Sequence, residues 1–439
     1  MCGRWYAAWR AAVARGPRGR GPFPGPSRGA GPVGSGRPSL PWGSCVRRTH
    51  VAVAVVSAGL LTACGSRSAP GTETVTPGAS AAAASATASS GPGPSAPAAT
   101  PTPTPAASLG PGEGTVSVVA LDGYAEWGGV DPKVKWIGTF EKETGCKVSL
   151  RIYDPRQEEK PGDFAPASFD VVSATPEVGG RLMAEGKAAP LNTTLLTGYD
   201  KIPKRLRTLP SVTRGEQVYG VPYVWATNEV LYDSGKVRSA GPESLFEDKG
   251  PVMFRDRPLT LADAALVLKE RGADIEDPFD LTDEQLDAAA ELFRSGDEGG
   301  RLFWHDPIEV VQAFATGSVR LAQATPYHAD VLSHGRKPVK VAGDRPVTGW
   351  ADSWMLSAGA PHPSCAYKWL DFTASADVQR KVSAWMGLAP ANPEACTGAA
   401  RRICADYEVG ESRAFKDVYF AVRPEAYDKW VERWSRIAP

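Results

Sequence analysis

From Gly65 to about Gly112 the chain is built almost wholly from Ala, Ser, Thr, Pro and Gly, with Pro101-Thr102-Pro103-Thr104-Pro105 near its end. Such a segment has too little apolar surface to offset the entropy of ordering and is expected to be disordered. Residues 1–45 are rich in Gly, Pro and Arg and carry no apolar period that could build a core. A folded body is therefore confined to Thr115–Pro439, a stretch of 325 residues and long enough for two lobes.

That stretch opens with a recognisable alternation. Val116, Val118, Val119 and Leu121 form a short β-rich run. Asp131-Pro132 reads as a helix start, with Asp as N-cap and Pro at the first helical position. Val134, Ile137 and Phe140 then share one helical face, and Gly145 is the stop signal. Val148, Leu150 and Ile152 alternate as a strand does. The unit is βαβ, so an α/β fold with a parallel sheet covered by helices is expected. Thr260 and Thr282 read as further N-caps, with Asp263 and Gln285 three residues on, each before an Ala/Leu-rich helix. No internal repeat is visible.

Between leader and tether lies a third kind of segment. Arg47 and Arg48 precede an apolar run from Val51 to Ala63, ending in Leu61-Thr62-Ala63 before Cys64. A basic start, a short apolar stretch and small residues at the cut describe a secretory signal peptide. The run falls short of the roughly twenty apolar residues a membrane span needs. Leu-Thr-Ala-Cys resembles the bacterial lipobox, which implies that Cys64 is lipidated and becomes the first mature residue. Residues 1–45 are then a dispensable leader ahead of a signal peptide at 46–63, with the true start expected near Val46. Residues 64–113 form a stiff, Pro-rich tether that suits a protein standing off through a thick wall.

Removing everything before Cys64 changes the charge. The whole chain balances 49 basic against 49 acidic residues, and nine arginines lie upstream of Cys64. The mature protein therefore keeps 40 basic against 49 acidic residues. An acidic protein disfavours nucleic acid and mildly favours cationic ligands.

Cys2 and Cys45 fall in the leader, leaving Cys146, Cys365, Cys396 and Cys404 in the folded body. An even number in an exported protein favours disulfides over free thiols. Three pairings are open. Cys396–Cys404 with Cys146–Cys365 is favoured, since Cys396 and Cys404 are close and Thr397-Gly398 between them reads as loop. The spacing is not CxxC and the five histidines are scattered, so no metal site is expected.

The mature chain shows no GxSxG, HExxH, P-loop or zinc-deaminase pattern, so neither catalysis nor a cofactor is expected. Aromatic and acidic residues instead gather at element ends. Asp122, Tyr124, Glu126 and Trp127 follow the first strand, where open α/β sheets bind ligands. Tyr223 and Trp225 follow Val221-Pro222, and Tyr327 and His328 follow the apolar run Val319–Ala324. Trp350, Asp352 and Trp354 alternate with small residues. Ring faces attract an organic ammonium and carboxylates accept its N–H donors.

Several segments together resemble a known family. Thr139-Phe140-Glu141-Lys142-Glu143-Thr144-Gly145 with Cys146-Lys147-Val148 is similar to the first helix and second strand of spermidine/putrescine-type solute-binding proteins of ABC importers. Tyr219-Gly220-Val221-Pro222-Tyr223 resembles their first inter-lobe crossing, and Gly349-Trp350-Ala351-Asp352-Ser353 their W-x-D-S segment. Pro363–Trp369 and Ala389-Pro390-Ala391-Asn392 complete the pattern, which spans roughly residues 115–405. The cysteine-bearing versions look like those of one bacterial branch, which supports the favoured disulfides.

The resemblance implies a two-lobe periplasmic-binding-protein-like fold of type II, with a hinge of two inter-lobe crossings. Lobe one would take residues 114–222 and, on return, 349–404; lobe two would take 223–348, and 405–439 would form C-terminal helices. The crossings are expected near Val221–Trp225 and Trp350–Met355. Trp350 would pack on a polyamine, Asp352 would bind an ammonium, and Tyr124 and Trp127 would carry over as the aromatic pair, their ring types exchanged. Two positions depart from the pattern. The family's acidic pair falls near Arg257 and Thr260, leaving Asp256 as the nearest carboxylate. The tryptophan expected after Val319–Ala324 is replaced around Thr325, with Tyr327 close by.

The expectation is a monomeric lipoprotein on the extracellular face of the cell membrane, capturing a small putrescine- or spermidine-like cation. Its site would comprise Tyr124, Trp127, Trp225, Asp256, Tyr327, Trp350 and Asp352, and its partners would be an ABC permease and ATPase. The alternatives are a surface hydrolase using a carboxylate pair and a structural or adhesion lipoprotein.

Overall fold

The computed structural model describes residues 105–154, 169–295, 300–343, 346–411 and 413–438. The leader, the apolar run, Cys64 and the tether up to residue 104 lie outside the described residues.

The first strands are β1 (Thr115–Leu121), β2 (Lys147–Tyr153) and β3 (Val171–Ala174). A small hairpin of β4 (Thr213–Arg214) and β5 (Gln217–Val218) precedes the long β6 (Gly220–Thr227). The chain then builds a second sheet from β7 (Glu229–Asp233), β8 (Val252–Arg255), β9 (Arg301–Trp304), β10 (Leu321–Ala324) and β11 (Val339–Val341). It returns through β12 (Val347–Leu356) and adds β13 (Ala389–Pro390) and β14 (Val418–Phe420). The first sheet runs β13-β6-β12-β3-β1-β2, with β14 beside β12, and the second runs β11-β7-β10-β8-β9.

The predicted βαβ unit is present: β1 pairs with β2 in parallel from Thr115 opposite Lys147 to Leu121 opposite Tyr153. Gly145 ends the intervening helix in the left-handed conformation at φ 72°, which a residue without Cβ adopts freely. The sheets are mixed rather than parallel. β12 re-enters from the second lobe and so lies antiparallel to both β3 and β6.

Local expectations fared unevenly. Thr282 and Gln285 form the reciprocal capping box, each backbone N–H bonded to the other's side chain. The first helix begins only at Ile137. Asp131 caps a turn instead, accepting from the Lys133 N–H at 2.9 Å. Thr260 caps no helix, because its hydroxyl donates to the Arg255 carbonyl at 2.8 Å.

The folded body also starts earlier than the composition suggested. The Glu113 carboxylate accepts from the Ser364 and Cys365 N–H groups at 2.9 and 2.8 Å, filling donors that the helix Pro363–Ala374 leaves open at its start. Burial works against its charge, yet these bonds win and hold the carboxyl below its ordinary range. Lys368 donates to the Pro111 carbonyl, and Asn192 to that of Ala106. A sequence too polar to form a core has been given one to lie on.

The favoured cysteine pairs are joined, Cys146 to Cys365 and Cys396 to Cys404, with Cα separations of 5.8 and 5.6 Å. The first ties the start of β2 to the helix that Glu113 caps.

Two lobes result, the first with one buried cluster and the second with two, on either side of its sheet. Val221–Trp225 and Trp350–Met355 pair with one another inside the first sheet, so the crossings lie a few residues beyond them. The chain leaves at Asn228 and comes back into the sheet at Val347. Asn228 stitches the two passages together: its N–H donates to the Thr348 carbonyl at 2.9 Å and its amide to the Thr348 hydroxyl at 2.8 Å. After β14 the chain passes over once more, and Ala421, Tyr427, Trp430 and Trp434 complete the core of the second lobe.

Candidate ligand-binding cleft

Strand ends set the position of the cleft. β3 finishes at Ala174, and Thr175 caps the helix Pro176–Ala184, which puts Glu177 in its first turn. β8 of the other lobe finishes at Arg255, two residues before Arg257. The third contributor is β12, where the pairing with β6 slips so that Asp352 opposes Val224 while Ser353 opposes Pro222. Pro222 has no N–H to give the ladder, and the extra residue, Tyr223, makes a bulge of the kind that re-aims neighbouring side chains. Thr175, Glu177, Trp350 and Asp352 then face Arg255 and Arg257 across the cleft.

Asp352 is 3% exposed. Its Oδ2 accepts from the Tyr124 hydroxyl at 2.5 Å, whereas its Oδ1 has no partner among the described residues. Burial pushes the carboxyl up to about 7, although Tyr124, Arg257 and Arg255 pull the other way. Glu177 pairs with Arg257 at 3.6 Å. The Arg255 guanidinium lies over the Trp350 ring, 4.9 Å from its centroid, and 5.5 Å from that of Trp304. Burial lowers its pKa to about 10, with Arg257 adding to the effect, so it remains charged at neutral pH.

The structure brings together Tyr124, Trp350 and Asp352 of the residues singled out from sequence. The other four stand elsewhere. Trp225 is 1% exposed and belongs to the first lobe's core, its Nε1 donating to the Pro390 carbonyl and its ring set against Tyr407 and Phe415. Trp127 is 47% exposed and lies outside the cleft. Asp256 is already engaged, accepting from Trp434 Nε1 at 2.7 Å and pairing with His305 at 2.8 Å. Tyr327 packs between the lobes against Gly387 and does not line the cleft. Its neighbour His328 is a buried structural group, held neutral by burial, with a pKa lowered to about 4. Glu177 and Arg255 were missed. Each sits at or just beyond the carboxyl end of a strand, the rule that singled out Tyr124. Among the described residues no group of three or more His, Cys, Asp or Glu is arranged to hold a metal.

Residues 135–401 match the bacterial extracellular solute-binding protein family. The chain belongs to this family. It is 24% identical over 325 residues to the putrescine/agmatine-binding protein of Pseudomonas aeruginosa, covering 68% of this chain and 86% of that one. Among solved structures it is similar to a spermidine/putrescine ABC transporter protein of Listeria monocytogenes, with TM-score 0.58, 16% identity, and 74% and 98% of the two chains covered. It is also similar to the Atu4243 GABA receptor, with TM-score 0.56, 16% identity, and 74% and 95% covered. The architecture is that of the type II periplasmic binding proteins. The family's role is solute binding rather than catalysis.

Proposed function

We propose that this solute-binding protein is held on the outer face of the cell membrane by lipidated Cys64. There it captures a small amine-bearing solute between its lobes, for delivery to a permease and its ATPase. One observation carries the ligand reading: Asp352 Oδ1 is buried in the cleft wall with no donor among the described residues. A buried acceptor left unpaired costs about 1–3 kcal/mol, more for a charged group. An ammonium N–H removes that cost. Tyr124 fixes the other oxygen and so aims the carboxylate, and Trp350 lines the cleft beside it. The Pseudomonas relative, a putrescine/agmatine-binding protein, points the same way. A solute touching Asp352 on one lobe and Arg255 on the other favours the closed arrangement, because only that arrangement supplies both contacts.

A thermal-shift screen of the full-length protein with diamines, agmatine and amino acids tests this. A bound solute raises the melting temperature by mass action. Asp352→Asn, which keeps an acceptor for the Tyr124 hydroxyl, should abolish the shift. An undiminished shift in that variant refutes the site. For the anchor, Cys64→Ser should release the protein into the medium; retention in the membrane fraction would count against lipidation.

A further inference from the structure

We infer that the solute carries a carboxylate as well as an amine, and that Arg255 is the residue that receives it. The inference rests on the reading that the cleft at Asp352 and Trp350 is the solute site.

Arg255 is held firmly. Its N–H donates to Gln323 Oε1 and its carbonyl accepts from the Thr260 hydroxyl, both at 2.8 Å. Its guanidinium lies against Trp304 and Trp350 and lines the cleft. Among the described residues no carboxylate stands within ion-pair distance of it, and no oxygen accepts from its side chain. The neighbouring Arg257 is different, since Glu177 pairs with it. Each indole face attracts the cation. Arg255 is partly exposed in the cleft wall, and the ring faces do not occupy its N–H donors. A carboxylate, which matches the guanidinium fork with two parallel hydrogen bonds, does.

Asp352 in the same cleft needs a donor. An unpaired guanidinium and a half-paired carboxylate complement a zwitterion. A diamine would satisfy Asp352 but bring its second ammonium toward Arg255 and Arg257, with Glu177, already paired to Arg257, left to offset the repulsion. A dicarboxylate would satisfy Arg255 and meet Asp352 and Glu177.

The test uses the full-length protein and probes matched in length: 1,4-diaminobutane, 4-aminobutanoate and butanedioate, with the series from glycine to 6-aminohexanoate to find the best spacing. Calorimetry should show a zwitterion binding at least roughly tenfold more tightly than the diamine of equal length. Arg255→Gln should weaken that zwitterion about 10- to 100-fold. It should leave affinity for the diamine of equal length undiminished, which a variant that merely disturbed the cleft would not. Arg255→Lys keeps the charge and should retain part of the affinity. A diamine that binds most tightly, unaffected by Arg255→Gln and abolished by Asp352→Asn, overturns the inference and leaves the amine site standing. Binding indifferent to both variants, or no binding by any probe, overturns both.

Discussion

The guanidinium of Arg255 stands 4.9 Å from the ring centroid of Trp350, so a cation from lobe two already covers the aromatic face that lobe one offers to the cleft. Solute arriving beside this pair changes the surroundings of one indole in particular. Trp350→Phe should therefore remove most of the solute-induced fluorescence change and weaken binding by up to about tenfold, as a smaller ring attracts a cation less. Trp127→Phe should leave the response intact, because Trp127 lies outside the cleft. Trp225→Phe should do the same, since Trp225 is sealed in the core. Titrating the three variants side by side checks all of this. A response lost with Trp127 would contradict the geometry.

Asp352 gives the protein a pH dependence of definite sign. Its carboxyl is raised to about 7 from an ordinary 3.8, so the folded protein holds the proton more tightly than the unfolded chain does. Its contribution to unliganded stability is fully present below 3.8 and is lost as pH rises through about 7. The difference in melting temperature between wild type and Asp352→Asn should therefore shift against the wild type from about pH 4 to about pH 8. Comparison with the variant is needed because buried Asp263 is also raised to about 7 and acts with the same sign.

Solute binding runs the other way. An ammonium requires the ionised carboxylate, so affinity should rise up to about pH 7 and binding at pH 6 should release a proton. Calorimetry in buffers of different ionisation enthalpy reads that proton directly. Affinity independent of pH across the same range would contradict it.

The two disulfides should differ in worth. One spans 219 positions and the other 8. On the chain-entropy argument these correspond to roughly 5 and 2–3 kcal/mol of stabilisation. The double variant Cys146→Ala/Cys365→Ala should lose more in denaturant unfolding than Cys396→Ala/Cys404→Ala. Equal losses would contradict this ordering.

Glu113 acts as a helix cap delivered from outside the helix. Glu113→Ala should cost about 1 kcal/mol, the usual worth of such a cap, and Glu113→Gln about half of it. Chemical denaturation measures both. No change in either variant would mean that the bonds to Ser364 and Cys365 are replaced by water at no loss.

The first βαβ unit was legible because its apolar residues fall at helical and strand periods and Gly145 marks the stop. The site was legible only in part. Trp350 and Asp352 stand in a distinctive segment, and Tyr124 follows a clear strand. Glu177 and Arg255 are common residue types in unremarkable surroundings, and only the topology sets the end of β3 against the end of β8. Trp225 misled for a related reason. Following Val221-Pro222, it reads as standing at an element end, but it lies inside β6, which sits between β12 and β13 and is buried along its whole length. Both faces of such a strand are core. Glu113 was hidden by its neighbours, since composition reports on a segment's own core and not on one it borrows.

The last passage of the chain has a consequence for folding. Tyr427, Trp430 and Trp434 are integral to a core whose other members lie mostly between Val230 and Ala342. Trp434 packs edge-on against Phe293 and Phe303, so the aromatic core of lobe two cannot close until this segment has docked. The segment arrives through β14, which pairs with β12 in the first sheet, and folding of the two lobes is thereby coupled.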